Sequence, residues 1–420
     1  MTAEVLVMNK LAVALAADSA VSTFSKVFHT QEKIFALSHE HPVGIMVYNN
    51  VDVIGVPFET VVKAFRKDLA GKKLPKLKDY AEEFINYLAS DQKVFTADTR
   101  TFAIVRVVHN LTYGAFTELQ ERYIQNFVNL PADDIKKQKL LEEWIDDMSP
   151  DLKSAEKGSP LSPEKAPDGS ILALIDEKVN SMAEEFPLIA LAKDAIAKHV
   201  RDSLEYPEEI EPTDFTGFVF AGFGEDDYFP SYCCFKVILA DQGFRCIFEK
   251  EDSAISADEG AAIRGFAQTE MVVTFLRGYH TNLLLDINRE IRALFGTWKN
   301  QLGKTTADKA AKKSLIGMQE DVLKTIRSAA KTYSDDNHVN PLLNAIEMMP
   351  KPDLANLAES LIDISSMKRK SADRMETVGG PTDVALITKG DGLVWTRRKH
   401  YFDLDLNPGF PMKYKETRTS

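Results

Sequence analysis

Only three cysteines occur in 420 residues, Cys233, Cys234 and Cys246. An odd, sparse set without a C-x-x-C spacing argues against a disulfide framework and a zinc site, and fits a reducing cytoplasm. No apolar run approaches the roughly 20 residues that a membrane-spanning helix needs. Positive charge is in deficit too: 51 Lys and Arg against 63 Asp and Glu leave a net charge of −12. That balance disfavours nucleic acid and anionic membranes as partners, and no basic patch with interleaved aromatics offsets it. There is no G-x-S-x-G elbow for a serine hydrolase, and no internal repeat. His39 and His41 lie close together but lack a matching carboxylate or cysteine spacing, so they read as a polar turn. No metal and no cofactor is expected.

What is present is ordinary globular composition, 44% hydrophobic and 27% charged. The length suits two or three average domains, or one domain with large insertions. Leu11 to Ala17 imitates the apolar part of a secretion signal. Glu4, the single base Lys10 and the already apolar Val5 to Met8 speak against that reading, which leaves a cytoplasmic protein.

The first seventy residues read as four strands followed by a helix. Val5–Met8 and Leu11–Ala17 flank an Asn9-Lys10 turn, and Lys33–Leu37 and Val43–Tyr48 follow. A helical pattern then carries Val53, Ile54, Val61, Val62, Phe65 and Leu69. Residues 71–212 are charged and helix-rich, with helices expected near 74–88, 102–129, 133–147 and 171–205. A Pro/Ser/Gly-rich piece, Ser149 to Ser170, interrupts them. They form either a helical insertion or an independent helical domain. Strand signals return at Gly217–Phe223, Tyr232–Ala240 and Phe244–Phe248, in a part running from 213 to 297. Helices are expected at 267–288 and 353–370, with a polar second insertion at 298–340. Residues 341–420 end in two strands, 382–388 and 393–397, around the Lys389-Gly390-Asp391-Gly392 turn.

Several of these pieces, in this order, resemble the proteasome β-subunit family of N-terminal nucleophile hydrolases and its bacterial relatives. Thr2, a strand, a tight turn and a second strand ending Ala17-Asp18-Ser19 match the start of that family's mature chain once Met1 is gone. Lys33, before a strand, matches the family's lysine with one residue fewer in the loop. Gly44–Tyr48 aligns with the strand that leads to an oxyanion-binding glycine, which puts Tyr48 at that position. Phe220–Asp226, and Gly379-Gly380 with Val384–Ile387, resemble later blocks. The resemblance covers about 2–69, 213–295 and 340–402. It implies an α+β fold, a four-layer αββα sandwich with residues 1–70, 213–297 and 341–420 as its core.

The implied site is Thr2 as nucleophile with Asp18 and Lys33, and the Tyr48 backbone N–H as oxyanion donor. The family's two amine-orienting serines are absent. Gln268 or Thr269 must substitute in Gly265–Thr269, and Glu376 is the nearest candidate in Met375–Gly380. A threonine hydroxyl needs a base, and an N-terminal threonine carries one in its own α-amine, with an ordinary pKa of about 7.7–8.0. The implied activity is hydrolysis of amide bonds, in a peptide or protein substrate or in a small molecule. A homo-oligomer, and a protein partner docking on the helical insertion, are the assemblies to expect. The rival reading, suggested by the missing serines, is a catalytically silent proteasome-like scaffold.

Overall fold

The computed structural model describes residues 3–23, 26–28, 31–37, 41–125, 134–148, 169–185, 190, 192–206, 214–240, 245–303, 305–371, 379–400, 402–403, 405–407 and 409. Thr2, His39, Glu376 and most of the Pro/Ser/Gly-rich piece lie outside them. The strands run β1 Ala3–Asn9, β2 Val13–Ala17, β3 Val21–Thr23, β4 Lys26–Phe28 and β5 Ile34–Ala36. Then come β6 Val43–Asn49, β7 Asp52–Val53, β8 Val56–Pro57, β9 Thr216–Gly222 and β10 Ser231–Ala240. The last four are β11 Arg245–Ala254, β12 Ala261–Ala267, β13 Asp383–Thr388 and β14 Gly392–Arg397. The helices are α1 Phe58–Leu69, α2 Leu77–Ser90, α3 Ala97–Gln125, α4 Asp134–Met148, α5 Gly169–Glu185 and α6 Lys193–Glu205. They continue with α7 Glu270–Arg277, α8 Thr281–Gln301, α9 Thr306–Ser334, α10 Asn340–Met348 and α11 Lys351–Lys370. The fold is α+β with antiparallel sheets, and the chain divides into two compact units.

The first unit takes residues 1–31, 255–386 and 394–420. Its sheet has the order β12-β1-β2-β13-β14, so the chain's first strand lies inside the sheet, between β12 and β2. Alternation sends Ala3, Val5 and Val7 of β1 to the same side as Ala12, Ala14 and Ala16, where helix α11 covers them. That helix contributes Leu354, Ala358, Leu361, Ile362 and Ser365, an i, i+4, i+7, i+8, i+11 face that is wholly buried. The alanines keep this side of β2 flat enough for close helix packing. The opposite side, Leu6, Met8, Val13 and Leu15, is buried as well. Burial on both faces explains why β1 reads as a continuous apolar run without alternation.

The expected Asn9-Lys10 turn is longer than two residues, because Asn9 belongs to β1. Its side chain is fully buried and donates to the carbonyls of Ile346 (2.8 Å) and Met349 (3.0 Å), while Oδ1 accepts from the Leu11 N–H at 2.9 Å. Residues 261–267 form strand β12, so Ala267, the expected first residue of a helix, is instead the last of a strand. Ala267 ends it in the left-handed region at φ 57°, and α7 begins only at Glu270. Gly278 at φ 74° stops α7 and separates it from α8.

The second unit takes residues 32–254 and 387–393, with a sheet ordered β11-β10-β9-β6-β5. Helices α1 to α6 and this sheet share one hydrophobic core. Phe84 of α2 is its hub, with ring centroids 4.9 Å from Phe218, 5.5 Å from Phe220 and 5.0 Å from Phe65. The helices of 71–212 therefore have no separate core of their own. Val53 and Ile54 are not helical: they sit in the tight β7–β8 hairpin, where Ile54 (φ 53°) and Gly55 (φ 75°) turn the chain. Asp52 braces this turn by accepting from the Gly55 N–H at 3.2 Å and two bonds from Arg106 at 2.8 and 3.0 Å. Cys233 and Cys234 of β10 are buried thiols. Among the described residues no helix is long and apolar enough to cross a membrane.

Candidate functional site

Antiparallel pairing sets Ala3 of β1 opposite Ala267, the last residue of β12, and the adjacent Glu4 opposite Ala17, the last residue of β2. Asp18 follows β2 directly and is 1% exposed. Its N–H donates to the Ala3 carbonyl at 3.1 Å, and its Oδ1 accepts from the Ala3 N–H at 3.0 Å. Both backbone groups of the residue after Thr2 are thus held by one side chain and its own backbone. Oδ2 accepts from the Gly379 N–H at 2.9 Å and from the Ala20 N–H at 3.4 Å. A carboxylate this deep in the protein is tolerated because several N–H dipoles point at it.

Ser19 continues the junction. Its N–H donates to the Gly379 carbonyl at 3.3 Å, and its hydroxyl donates to the Pro381 carbonyl. Gly379 and Gly380, at φ 156° and 78°, let the chain run flush along Asp18 and Ser19 before β13. Gly379 and Ser19 were not singled out from the sequence as part of this junction. A Gly-Gly pair before a strand was the signal that could have pointed there.

Gln268 and Thr269 come immediately after Ala267, beside the start of β1, and Thr269 N–H donates to the Ala267 carbonyl at 3.1 Å. The next residue, Glu270, is bonded to His280 Nε2. His280 Nδ1 accepts from the Asn282 N–H at 3.1 Å, so Nε2 carries the proton. That bond holds the Glu270 carboxyl below its ordinary pKa, against a smaller opposing effect of burial.

Lys33 and Tyr48 belong to the second unit. Lys33 is buried, just ahead of β5, and its carbonyl accepts from the Val47 N–H at 2.9 Å. Tyr48 pairs with Gly217 of β9. Its ring covers Gly217 so closely that a Cβ there would fall 2.2 Å from the ring, and it meets Phe215 edge-on at 5.9 Å. Since the Val47 N–H points to the β5 side, strand alternation turns the Tyr48 N–H toward β9. As an oxyanion donor it would share its proton with that ladder. Asn49 closes β6 in the left-handed region, at φ 74°. His41 is a buried core residue, its Nε2 3.0 Å from the Lys72 carbonyl and its ring packed against Tyr80.

No family model and no curated protein matches this sequence. Solved structures do. An Anbu (Gly-1) mutant from Hyphomicrobium sp. strain MC1 is similar at 9% identity and a TM-score of 0.28, over 100% of this chain and 96% of that one. A second structure, of Anbu from the same organism, gives 9% and 0.29 over 99% and 95%. Anbu (ancestral beta-subunit) from Yersinia bercovieri gives 8% and 0.31 over 100% and 97%. Likeness at this level assigns no activity and no residue role.

Proposed function

We propose that this chain is a threonine-type N-terminal nucleophile hydrolase, proteasome-like, which cleaves amide bonds of a peptide or protein substrate in the cytoplasm. In this reading the two sheets are the inner layers of a four-layer αββα sandwich, and Thr2 becomes the first residue when Met1 is removed. The observation that supports it most directly is the pair of hydrogen bonds between Asp18 and Ala3. A strand end needs no buried carboxylate to be stable, whereas a site built on the residue before Ala3 needs a fixed negative charge beside it.

In the proposed mechanism the Thr2 hydroxyl attacks the substrate carbonyl and passes its proton to the Thr2 α-amine. Lys33 lowers the pKa of that amine by repelling a second positive charge, so more of it is neutral near pH 7. Asp18 pairs with Lys33 and balances its charge. The oxyanion takes the Tyr48 N–H, and the candidates to orient the amine in place of the family's serines are Gln268 or Thr269 at the first position and Glu376 at the second. The ammonium returns its proton to the leaving amine as the C–N bond breaks, which leaves an ester on Thr2. Water, deprotonated by the same amine, then hydrolyses the ester.

The second reading, a silent scaffold, is favoured by the absence of serine from both Gly265–Thr269 and Met375–Gly380. One experiment separates the two. Intact mass reports whether Met1 is removed, and a peptidyl epoxyketone or a smaller β-lactone reports whether Thr2 reacts. The enzyme reading expects a Met1-free chain, an adduct on Thr2, no adduct in Thr2→Ala and a partial one in Thr2→Ser. Quantitative retention of Met1, or a folded Met1-free chain inert to both reagents, makes the scaffold the better account.

A further inference from the structure

The C-terminal ends of α1 and α2 meet at a cavity of about 550 Å³ in the second unit, which shares no residue with the candidate site. Its wall holds Asp68, Glu83, Tyr87, Asp91 and Lys93, and no wholly apolar residue contributes to it. Ligand pockets of this volume are ordinarily lined by apolar side chains, so a charged ligand suits this one better.

Three carboxylates face one ammonium in that wall. Glu83 is paired with Lys72 at 2.7 Å, which leaves Asp68 and Asp91. Among the described residues neither of them forms an ion pair, and Lys93 forms none. Asp91 Oδ1 accepts from the Lys93 and Val94 N–H groups at 2.9 and 2.6 Å, while Oδ2 has no bond among the described residues. The helix ends add partial negative charge of their own. No basic residue offsets it in the last turn of α2. Of the two in α1, Arg66 is taken up by the Leu37 carbonyl at 2.9 Å, and Lys67 is not in the wall.

Tyr87 is the independent sign that something binds here. It is 6% exposed, with its ring packed on Phe65 and Phe95 at centroid distances of 5.4 and 6.3 Å. Yet its hydroxyl has no hydrogen bond among the described residues. Burial, then the charges of Asp91 and Asp68, push the phenol up to about 12, so a neutral hydroxyl lies near both carboxylates. Buried hydroxyls are ordinarily partnered, and one left open in a polar cavity marks a ligand position.

Among the described residues no three His, Cys, Asp or Glu are placed to hold a metal ion. Asp68 and Asp91 stand on different elements of one cavity, so a cation that meets both must carry its charges apart. We propose that the cavity binds a linear aliphatic di- or polyammonium compound, one ammonium held by Asp91 and the Tyr87 oxygen and another by Asp68. The net charge of −12 draws such a ligand toward the protein.

Isothermal titration calorimetry of the full chain in about 0.15 M salt tests this with spermidine, putrescine and n-butylamine. The first two are expected to bind one to one. Butylamine, with the same stem and a single charge, should bind about tenfold more weakly. Asp68→Asn should weaken spermidine binding about tenfold at unchanged Tm, since that side chain is exposed. Tyr87→Phe should weaken it about fivefold, and Lys93→Gln, which removes the base from the wall, should tighten it. If Tyr87→Phe does not fold, Asp68→Asn decides alone. No heat at about 1 mM spermidine overturns the proposal. So does butylamine binding as tightly as putrescine, or spermidine binding that ignores Asp68→Asn. Mg²⁺ binding with the same dependence on Asp68 would also overturn it and make this a metal site.

Discussion

Asp18 and Gly379 stand 361 positions apart in the chain and are joined by a 2.9 Å hydrogen bond from the glycine N–H to the carboxylate. Through the other oxygen the same carboxylate holds Ala3. One side chain thus ties the first strand to the segment leading into β13.

Asp18→Asn should test that junction. The amide keeps the shape but replaces one acceptor by a donor that faces another N–H. A buried donor left unsatisfied costs about 1–3 kcal/mol. Urea unfolding of a chain that also carries Thr2→Ala should show a loss in that range, independent of any catalysis. A midpoint shift near zero would remove Asp18 from its structural role.

Lys33→Met separates charge from volume. Replacing the buried lysine by an apolar residue of similar length keeps the volume but leaves Asp18 without its proposed partner, so stability should fall by about 3–5 kcal/mol. Under the proposed mechanism it should also slow β-lactone labelling of Thr2 on the order of 10²-fold at pH 7. The Thr2 amine would regain a higher pKa, so the acid limb of the labelling profile should move to higher pH. An unmoved profile would deny Lys33 its proposed part.

Phe84→Ala removes the ring that meets Phe65, Phe218 and Phe220. A cavity of this kind typically costs about 3–5 kcal/mol. The loss should appear in the fluorescence and circular dichroism transitions alike, because helix and sheet share that core.

Asp227 gives a pH dependence. Burial raises its carboxyl pKa, but the Lys76 ammonium and the Gly224 and Leu77 N–H groups together outweigh burial and hold it below the ordinary value. A depressed folded pKa contributes stability that is complete above the unfolded value, near 3.8, and is lost as pH falls through the lower folded one. Asp227→Asn should therefore be destabilised at pH 7 by about 1–2 kcal/mol. Below about pH 3 the gap to wild type should narrow. A gap that is constant with pH would contradict the assignment.

The sequence displayed the first two strands, the final hairpin and α11 because local pattern determines them: β-branched runs, a Gly-Asp-Gly turn, a 3.6-residue period. It concealed β12, whose Ala261-Ala262-Ile263-Arg264-Gly265 has weak strand propensity and becomes a strand by pairing with β1. It concealed the role of Asn9, whose partners lie more than 330 residues away. The β7–β8 hairpin was hidden because Ile54, a β-branched residue, occupies a left-handed position that local preference would refuse. At the site, the Asp-Ser ending of β2 was legible as a motif, but its hydrogen-bond partner Gly379 was not. That bond depends on tertiary contact alone.

The neighbours of β1 also govern how the protein comes off the ribosome. The first strand emerges with β2 behind it, yet its other flank belongs to residues 261–267. At roughly 5–20 residues per second, translation takes on the order of ten to fifty seconds to reach β12, and longer to reach Gly379. Throughout that interval the edge of β1 that will meet β12 has no partner, and enzymes that trim nascent chains can still reach the segment before Ala3. Synonymous codon changes that slow elongation between α6 and β12 should lengthen the interval, and with it the exposure of nascent chains to such enzymes.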